Sequence, residues 1–315
     1  MADDERLPGS DEAGRIAETR AADTLVAEGE TAVVREGSLY ADAWRHLRRR
    51  PIFIIAALII LLLITMAVWP SLFTNADPRN CPLVDSLLRP SAQHWFGTDL
   101  QGCDYYAKTI YGARVSISIG VLVTVAATAV ALVLGSISGF YGGIVDSIIA
   151  RIADIWFAIP FILGGIVILS LLGKRGMLQV SLVLIVLGWP TMLRLTRSSV
   201  LSVKETDYVD AARALGASNL RIIRRHVLPN SIAPVIVYAT ITVGVIIAAE
   251  AALSFLGVGL QLPAISWGLM ISVAQNRILQ APHLLLFPAM FLSFTVFSFI
   301  LMGDALRDAL DPRLR

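Results

Sequence analysis

Glu250 is a carboxylate in the middle of a long apolar stretch of the chain. It has 24 uncharged residues before it and 26 after it. A carboxylate in such surroundings is costly unless it binds or pairs with another group, so it is a candidate for function. One interpretation puts Glu250 on the wall of a conduit, where it contacts the amino group of a solute. The other is a structural pair with a cation such as Arg114 or Arg151, and the pairing is favoured.

Cys81 and Cys103 are the only cysteines of the chain, and both lie in the segment 71–111 between two apolar runs. The charge pattern described below puts this segment outside the cell, where the environment is oxidising. The pair therefore favours a disulfide over two free thiols. Zinc binding is disfavoured because a structural zinc site normally needs four ligands.

Motifs for covalent or nucleotide chemistry are missing from the sequence. It has no Gly-x-x-x-x-Gly-Lys-Ser/Thr phosphate loop, no His-Glu-x-x-His metal site and no Gly-x-Ser-x-Gly nucleophile elbow. The sequence therefore predicts a protein that is not an enzyme, with no cofactor or metal of its own.

The elements that must position these residues are long apolar runs. Hydrophobic residues make up 56% of the 315, charged residues 16%, and the mean hydropathy is +0.70. A helix needs about 20 apolar residues to cross a bilayer, and no alternating pattern typical of a transmembrane β-barrel occurs. We predict an all-α integral membrane protein with six spans, drawn from the runs Ile52–Trp69, Val115–Val145, Ile155–Gly173, Gly176–Leu193, His226–Ala249 and Ile278–Gly303.

Basic residues predict the orientation, because they accumulate on the cytoplasmic side of spans. Clusters precede the first span (residues 51–70), follow the fourth span, and occur in the C-terminal tail (residues 304–315). All three agree on cytoplasmic termini and an extracytoplasmic loop at 71–111. Since the basic clusters lie beside spans, no nucleic-acid partner is predicted.

The N-terminal residues precede the apolar runs and differ from them in composition. Residues 1–38 are acidic, rich in small residues and without an aromatic residue, so they cannot bury enough surface to become ordered, and we expect a disordered cytoplasmic tail. A regulatory arm and an inert solvated extension are both compatible with this, and the inert extension is favoured. Residues 39–50 predict an interfacial helix.

A polar segment at 203–229 interrupts the transmembrane core, residues 112–303, which contains the second to sixth spans. Ser202 and Glu205 have capping-box spacing, so a helix is predicted to start there. Gly216 is predicted to end this helix in a left-handed conformation. Ser218 is expected to cap a second helix, Asn219–Val227, with an apolar stripe of Leu220, Ile223 and Val227, ended by Pro229. Such a rigid helix pair can enter a groove on a partner protein.

The same segment resembles a known coupling motif. The pattern Asp210-Ala-Ala-x-x-x-Gly216 followed by Leu228-Pro229 is similar to the EAA loop of bacterial ABC importer permeases, with Asp210 in place of the usual Glu and His226 in place of an apolar residue. Three more blocks resemble the dipeptide and oligopeptide subgroup (DppC/OppC-like), although Cys103 stands where Arg is commoner. They are His94–Asp99 with Gly112–Arg114, Glu250–Gly257 with Ser266–Gly268, and Gly303–Pro312.

This resemblance implies a fold, a function and partners. The fold would be the type I (MetI-like) permease fold in the bacterial inner membrane. The partners would be a second homologous permease subunit, one or two cytoplasmic ATPase subunits that hold ATP and Mg, and an extracytoplasmic peptide-binding protein. The implied ATPase-coupling residues are Tyr208, Asp210, Ala211, Ala212, Leu215, Gly216, Leu228 and Pro229.

Other interpretations stay open at the level of sequence. The cargo is expected to be dipeptides or oligopeptides, and the alternatives are nickel or glutathione-like solutes. A secondary transporter or channel, or a scaffold that only anchors a partner, would use the same spans. The small residues Gly135 and Gly139 are expected to pack closely against a helix of the second permease subunit.

Overall fold

The computed structural model describes residues 44, 45 and 47–310, and its regular elements in that part are helices. The predicted tail at 1–38, half of the predicted interfacial helix at 39–50, and residues 311–315 lie outside the described residues. Short 3₁₀ turns occur at Pro70–Leu72, Leu83–Asp85 and Gln275–Arg277. The α-helices are α1 (Pro51–Val68), α2 (Tyr105–Tyr141), α3 (Gly143–Phe157), α4 (Phe161–Leu171), α5 (Met177–Lys204), α6 (Asp207–Ala214), α7 (Asn219–Ile222), α8 (Leu228–Phe255), α9 (Trp267–Ala274) and α10 (His283–Leu310).

Five helical stretches of the described chain are long and apolar enough to cross a membrane. They are α1, α2, α5, the continuous stretch Asn219–Phe255 and α10, and the pair α3 and α4 makes a sixth if it counts as one span. The predicted third span, 155–173, is wrong as a single helix, because α3 and α4 meet at an angle of 81°. Pro160 disfavours the helical conformation of the residue before it, and Pro160 itself is extended at the start of α4.

Two predicted boundaries also need correction. Helix α2 begins at Tyr105, not at 112, because the Asp104 side chain accepts a hydrogen bond from the Ala107 amide at 2.8 Å and caps the helix. Helix α10 runs through Leu310 into the predicted tail at 304–315. There Arg50 forms an ion pair of 2.6 Å with Asp308, so the start of α1 and the end of α10 lie together.

Helix α2 lies at the centre and packs against α5 and α8. A side chain on Gly135 would come within 2.7 Å of Thr196, and one on Gly139 within 2.9 Å of the Arg197 carbonyl oxygen. These two glycines therefore let α2 and α5 of the same chain approach closely. The prediction that they pack against a second subunit is wrong, because α5 already occupies that surface.

The segment before α2 folds over the end of the bundle that we call the loop end. Cys81 and Cys103 form a disulfide there, with Cα atoms 4.8 Å apart. The Asp99 carboxylate accepts hydrogen bonds from the Gln101 and Cys103 amides, both at 2.9 Å, and pairs with Lys108 at the start of α2. The disulfide and Asp99 together attach this segment to the first turn of α2.

We expect mass spectrometry of the non-reduced, digested protein to find a peptide that joins Cys81 to Cys103. Closing a loop of this size restricts the unfolded chain, so a Cys81→Ser, Cys103→Ser double variant should lose about 3 kcal/mol of stability. The thermal midpoint in detergent, measured with and without reductant, checks the loss. Free thiols in the native protein would contradict the assignment.

Replacing Gly139 with Val should separate α2 from α5 and lower the free energy of unfolding by about 1–3 kcal/mol, the usual cost of overpacking. Thermal unfolding in detergent measures the change. Gly173→Val is the matched control, because a side chain at Gly173 meets no atom within 4 Å. Equal midpoints for the two variants would contradict the proposed contact.

Candidate partner-docking site

The polar segment folds into a helix pair, residues 206–227, at the end of the bundle opposite the loop end. One side of it is exposed: the side chains of Tyr208, Leu215 and Leu220 are 44%, 88% and 62% accessible. Large apolar side chains at this level of exposure indicate a surface that a partner covers. We call the exposed residues of this side the docking face, made of Tyr208, Asp210, Ala211, Leu215, Gly216 and Leu220.

The opposite side of the helix pair is buried against the bundle. Val209, Ile222 and Val227 are fully buried and pack with Phe140 of α2 and Val200 of α5. The predicted stripe of Leu220, Ile223 and Val227 is therefore wrong in one member, since Leu220 points outward and Ile222 takes its place. Burial of this side fixes the helix pair to the ends of two spans.

The predicted start of the first helix is also wrong. Ser202 lies inside α5, which continues to Lys204, and α6 begins only after Thr206, which is extended (φ −88°, ψ 148°). The Lys204 ammonium donates to the carbonyl oxygens of Gly139 and Phe140 at 3.1 and 3.4 Å. It thereby satisfies terminal carbonyls of α2, and this contact requires α5 to remain helical to that residue.

Gly216 ends α6 as predicted, in a left-handed conformation with φ +80°. The Gly216 amide donates to the Arg213 carbonyl at 3.0 Å and the Ala217 amide to the Ala212 carbonyl at 3.1 Å. This pair of bonds is the Schellman motif, which strongly favours glycine at the left-handed position. It sets the angle at which α7 leaves α6.

Pro229 does not end the second helix, which corrects another prediction. Ser218 stands at the start of α7 without a side-chain capping bond, and the chain then stays helical from Asn219 to Phe255. One wide π turn at Ile223–Val227 precedes Pro229, which lies in the first turn of α8. A π turn shifts the hydrogen-bonding register, so the helix accommodates a residue without an amide proton. The docking face thus continues into a helix about 55 Å long.

Charged groups brace the same end of the bundle. Arg197 donates two hydrogen bonds to Asp146, at 2.5 and 2.6 Å, and Ser138 donates a third at 2.5 Å. These contacts join α5, α3 and α2, so the frame under the helix pair is rigid. On the docking face itself, Asp210 and Arg213 form an exposed pair at 2.9 Å, which contributes little to stability.

Basic side chains border the docking face. Arg221, Arg224 and Arg225 are exposed on the second half of the helix pair, and Asp207 is exposed at the start of α6, where the helix dipole favours a negative charge. The site therefore offers a partner an apolar centre with charges around it, which is the usual arrangement of a protein interface.

Glu250 lies near the other end of the long helix and is completely buried. Ser254 and Ser266 donate hydrogen bonds to the same carboxylate oxygen at 2.7 and 3.1 Å. The predicted partner Arg114 instead donates to the carbonyl oxygens of Ala67 and Val68. The favoured ion pair is thus replaced by two serine hydroxyls, of which Ser254, four residues later on the same helix, could have been recognised from its spacing.

The residues that hold the site in place were not identified from the sequence. Lys204, Asp146 and Arg197 could be recognised from the sequence only as charged residues beside spans, because their partners lie on other helices. Val209 and Ile222 carry no signal beyond being apolar. A cavity of about 200 Å³ at the loop end, beside Asp99 and Lys108, was missed as well.

Comparison with protein families gives two matches. A model described as "Binding-protein-dependent transport system inner membrane component" matches residues 131–315. A model described as "N-terminal TM domain of oligopeptide transport permease C" matches residues 38–90. Together they span the first candidate span and the whole region that holds the helix pair and Glu250.

Several named proteins are similar over most of their length. The oligopeptide transport system permease protein OppC of Bacillus subtilis is 40% identical over 88% of this chain and 91% of its own. The dipeptide transport system permease protein DppC of the same species is 40% identical over 87% of this chain and 86% of its own. The glutathione transport system permease protein GsiD of Pectobacterium atrosepticum is 36% identical over 90% and 95%.

A solved structure of the MetNI methionine ABC transporter, in an inward facing conformation, is similar in fold. It has a TM-score of 0.54 and 20% sequence identity, and the match covers 65% of this chain and 96% of that one. At this identity the likeness shows the fold alone, and the predicted MetI-like fold is confirmed.

Replacing Gly216 with Val should loosen the joint between α6 and α7. Nothing lies within 4 Å of an added side chain, so the cost is the left-handed backbone, about 1–2 kcal/mol. Amide hydrogen exchange at residues 215–217 should accelerate by about tenfold, since 1.4 kcal/mol corresponds to that factor. Gly216→Asn is the matched control, because Asn tolerates this conformation, and equal exchange in both variants would contradict the assignment.

Proposed function

The chain belongs to the family of binding-protein-dependent transport system inner membrane components, and on that premise we propose that it is a permease subunit of an ABC importer for oligopeptides or dipeptides. The observation that carries this conclusion is the 40% identity to the OppC and DppC permeases over nearly the whole of both chains. It is a multi-span membrane protein of the bacterial inner membrane.

ATP hydrolysis belongs, in this proposal, to separate cytoplasmic subunits that bind the docking face. The chain has no phosphate loop of its own, and two exposed apolar side chains at this end, Leu215 and Leu220, stand on a rigid support. Tyr208, Asp210, Ala211 and Gly216 complete the contact, while Ala212, Leu228 and Pro229 connect it to the bundle. ATP and Mg are held by the partner subunits.

The docking face lies in the cytoplasm under this proposal, together with both chain termini. The Arg50–Asp308 pair brings the start of α1 and the end of α10 to one end of the bundle, and Lys204 joins the ends of α5 and α2. Basic residues concentrate at this same end, as the charge rule for membrane proteins requires of a cytoplasmic face. The disulfide-bonded loop then faces outward, where a peptide-binding protein would deliver cargo.

Transport requires the partner subunits to distinguish two states of the permease. A nucleotide can shift an equilibrium only by as much as its binding differs between the two states. Because α7 continues into α8 without a break, closing of the ATPase subunits would move the whole Asn219–Phe255 helix. A second, homologous permease subunit would supply the other half of the path.

Glutathione is the second candidate cargo, supported by the 36% identity to a glutathione transport permease. The peptide assignment is preferred because the oligopeptide and dipeptide permeases are more similar. Uptake of a labelled dipeptide in competition with glutathione separates the two cargoes. Flux without ATP would instead favour a secondary transporter or channel, and binding without flux would favour a scaffold.

Replacing Leu215 with Asp should abolish the docking of the ATPase subunits, because it puts a charge in the apolar centre of the proposed interface. In complexes purified through a tag on this chain and reconstituted in proteoliposomes, we expect loss of the co-purified ATPase and at least a tenfold loss of ATP-dependent peptide uptake, as for a hot spot worth about 1.4 kcal/mol or more.

Leu279→Asp is the matched control for this experiment. Leu279 is 97% exposed but follows α9 on the loop-end side of α10, away from the docking face, so the Leu279→Asp variant should keep the co-purified ATPase. Normal uptake by the Leu215→Asp variant would overturn the proposed docking face. A native complex without any ATPase subunit would overturn the proposed function itself.

A further inference from the structure

Glu250 and Leu220 of the docking face belong to the same helix. The rest of the docking face lies on α6 and at Gly216, which joins α6 to this helix. Asn219 starts the continuous stretch that ends at Phe255, so Glu250 stands about 45 Å along the helix from the docking face. The stretch stays helical throughout, including the π turn at Ile223–Val227, so a displacement of its first turns is passed along the helix toward Glu250. The segments that Glu250 holds would then move with the start of this helix.

Glu250 holds the ends of two neighbouring segments. Ser266 accepts a hydrogen bond from the Leu269 amide at 3.1 Å and so caps α9, while Ser254 accepts one from the Leu260 amide at 3.1 Å. Each hydroxyl has a single proton, and both protons are donated to the Glu250 carboxylate. One buried carboxylate oxygen therefore fixes the orientation of both serines.

Helix α9 is also attached to α2. The Trp267 amide donates to the Ser116 hydroxyl at 3.1 Å, and the Trp267 indole donates to the Thr109 carbonyl at 2.9 Å. Helix α9 thus bridges α2 and α8. Its contacts with α8 are the Glu250 hydrogen bond, a longer hydrogen bond of 3.4 Å from the Ser272 hydroxyl to the Phe255 carbonyl at the end of α8, and the close packing of Gly268 on Ala251. Packing prevents the helices from approaching further, whereas the hydrogen bonds hold them in one register.

Helix α9 forms a wall of the cavity at the loop end. Leu269, Met270 and Val273 of α9 face the cavity of about 200 Å³, opposite Tyr105 and Lys108 of α2. A shift of α9 relative to α2 therefore changes the width of this cavity.

We propose that Glu250 is a positioning residue that transmits the displacement of the docking face to α9 and so sets the opening of the loop-end cavity. The proposal rests on the proposed function, since it needs ATPase subunits that move the docking face. In this proposal Glu250 does not contact the cargo, because its side chain is completely buried between helices. A carboxylate in this apolar position is costly, and the two hydroxyl donors to Oε1 offset part of that cost, while Oε2 is buried without a hydrogen-bond partner among the described residues.

The test compares Glu250→Met with Glu250→Gln. Met has nearly the length and volume of Glu but accepts no strong hydrogen bond, whereas Gln keeps a carbonyl oxygen for both serines. Val273→Cys provides the readout, since Val273 lines the cavity and is 46% exposed. The new cysteine is the only free thiol of this chain, because its two native cysteines form the disulfide. The rate at which a maleimide labels this thiol is measured in the purified complex, without nucleotide and with a non-hydrolysable ATP analogue.

We expect the labelling rate to differ between the two nucleotide states by about fivefold or more in the native and Glu250→Gln backgrounds, the lower end of typical couplings between sites. In the Glu250→Met background the two rates should become equal, while basal ATP hydrolysis continues. If the Met variant does not assemble, Ser266→Ala removes the same bond and should give the same result.

Three results would overturn the proposal. The Met variant could retain the native difference, the native complex could show no difference, or Gln could fail to rescue it. In each case ATP-dependent peptide uptake by the native complex would leave the proposed function intact. Absence of ATP hydrolysis from the native complex would overturn the proposed function together with this inference.

Discussion

The constraint on which the structure depends is that a bilayer supplies no hydrogen-bond partners for a polypeptide backbone. A helix that breaks inside hydrocarbon would leave amides and carbonyls unsatisfied, so the chain has to stay helical wherever it can. The stretch Asn219–Phe255 follows this rule through two prolines, Pro229 and Pro234, with a single π turn before the first. As a result, Leu220 of the docking face, which lies outside the apolar region, is connected to Glu250 deep within it by one uninterrupted helix.

The two ends of that helix lie beside different kinds of contact. At the helix-pair end, charged groups such as Asp146, Arg197 and Lys204 bind across helices, and a lysine caps the end of α2. Near Glu250 and at the start of α9, serine hydroxyls, a tryptophan indole and one buried carboxylate make the contacts. Hydrogen bonds are stronger in a low-dielectric interior, so a few of them suffice to fix α9. Charged pairs serve at the other end, where water is near.

Much of this architecture could be predicted from the sequence, because hydropathy and glycine conformation are local properties. The span starting at residue 51 and the left-handed Gly216 depend only on nearby residues. The errors arose where a local rule competed with the surroundings. Ser202 has capping-box spacing, but packing against α2 keeps α5 helical through Lys204. Pro229 is a helix breaker in water, but the membrane favours continuity. Pro160 did break its helix, at a position where hydropathy alone predicted a single span.

Partners of buried groups were harder to predict, for a reason that Glu250 and Gly139 share. The residue type predicts the kind of contact: a buried carboxylate requires hydrogen-bond donors, and a glycine among large residues indicates a closely packed neighbour. The residue type does not predict which segment supplies the contact, because Ser266 and Arg197 are remote in sequence from Glu250 and Gly139. The charged partner expected for Glu250 and the second subunit expected for Gly139 were both replaced by neutral or backbone groups of the same chain. Since α5 occupies the glycine surface of α2, the second permease subunit of the proposed importer would meet other residues, and a path between the two subunits would not run along that surface.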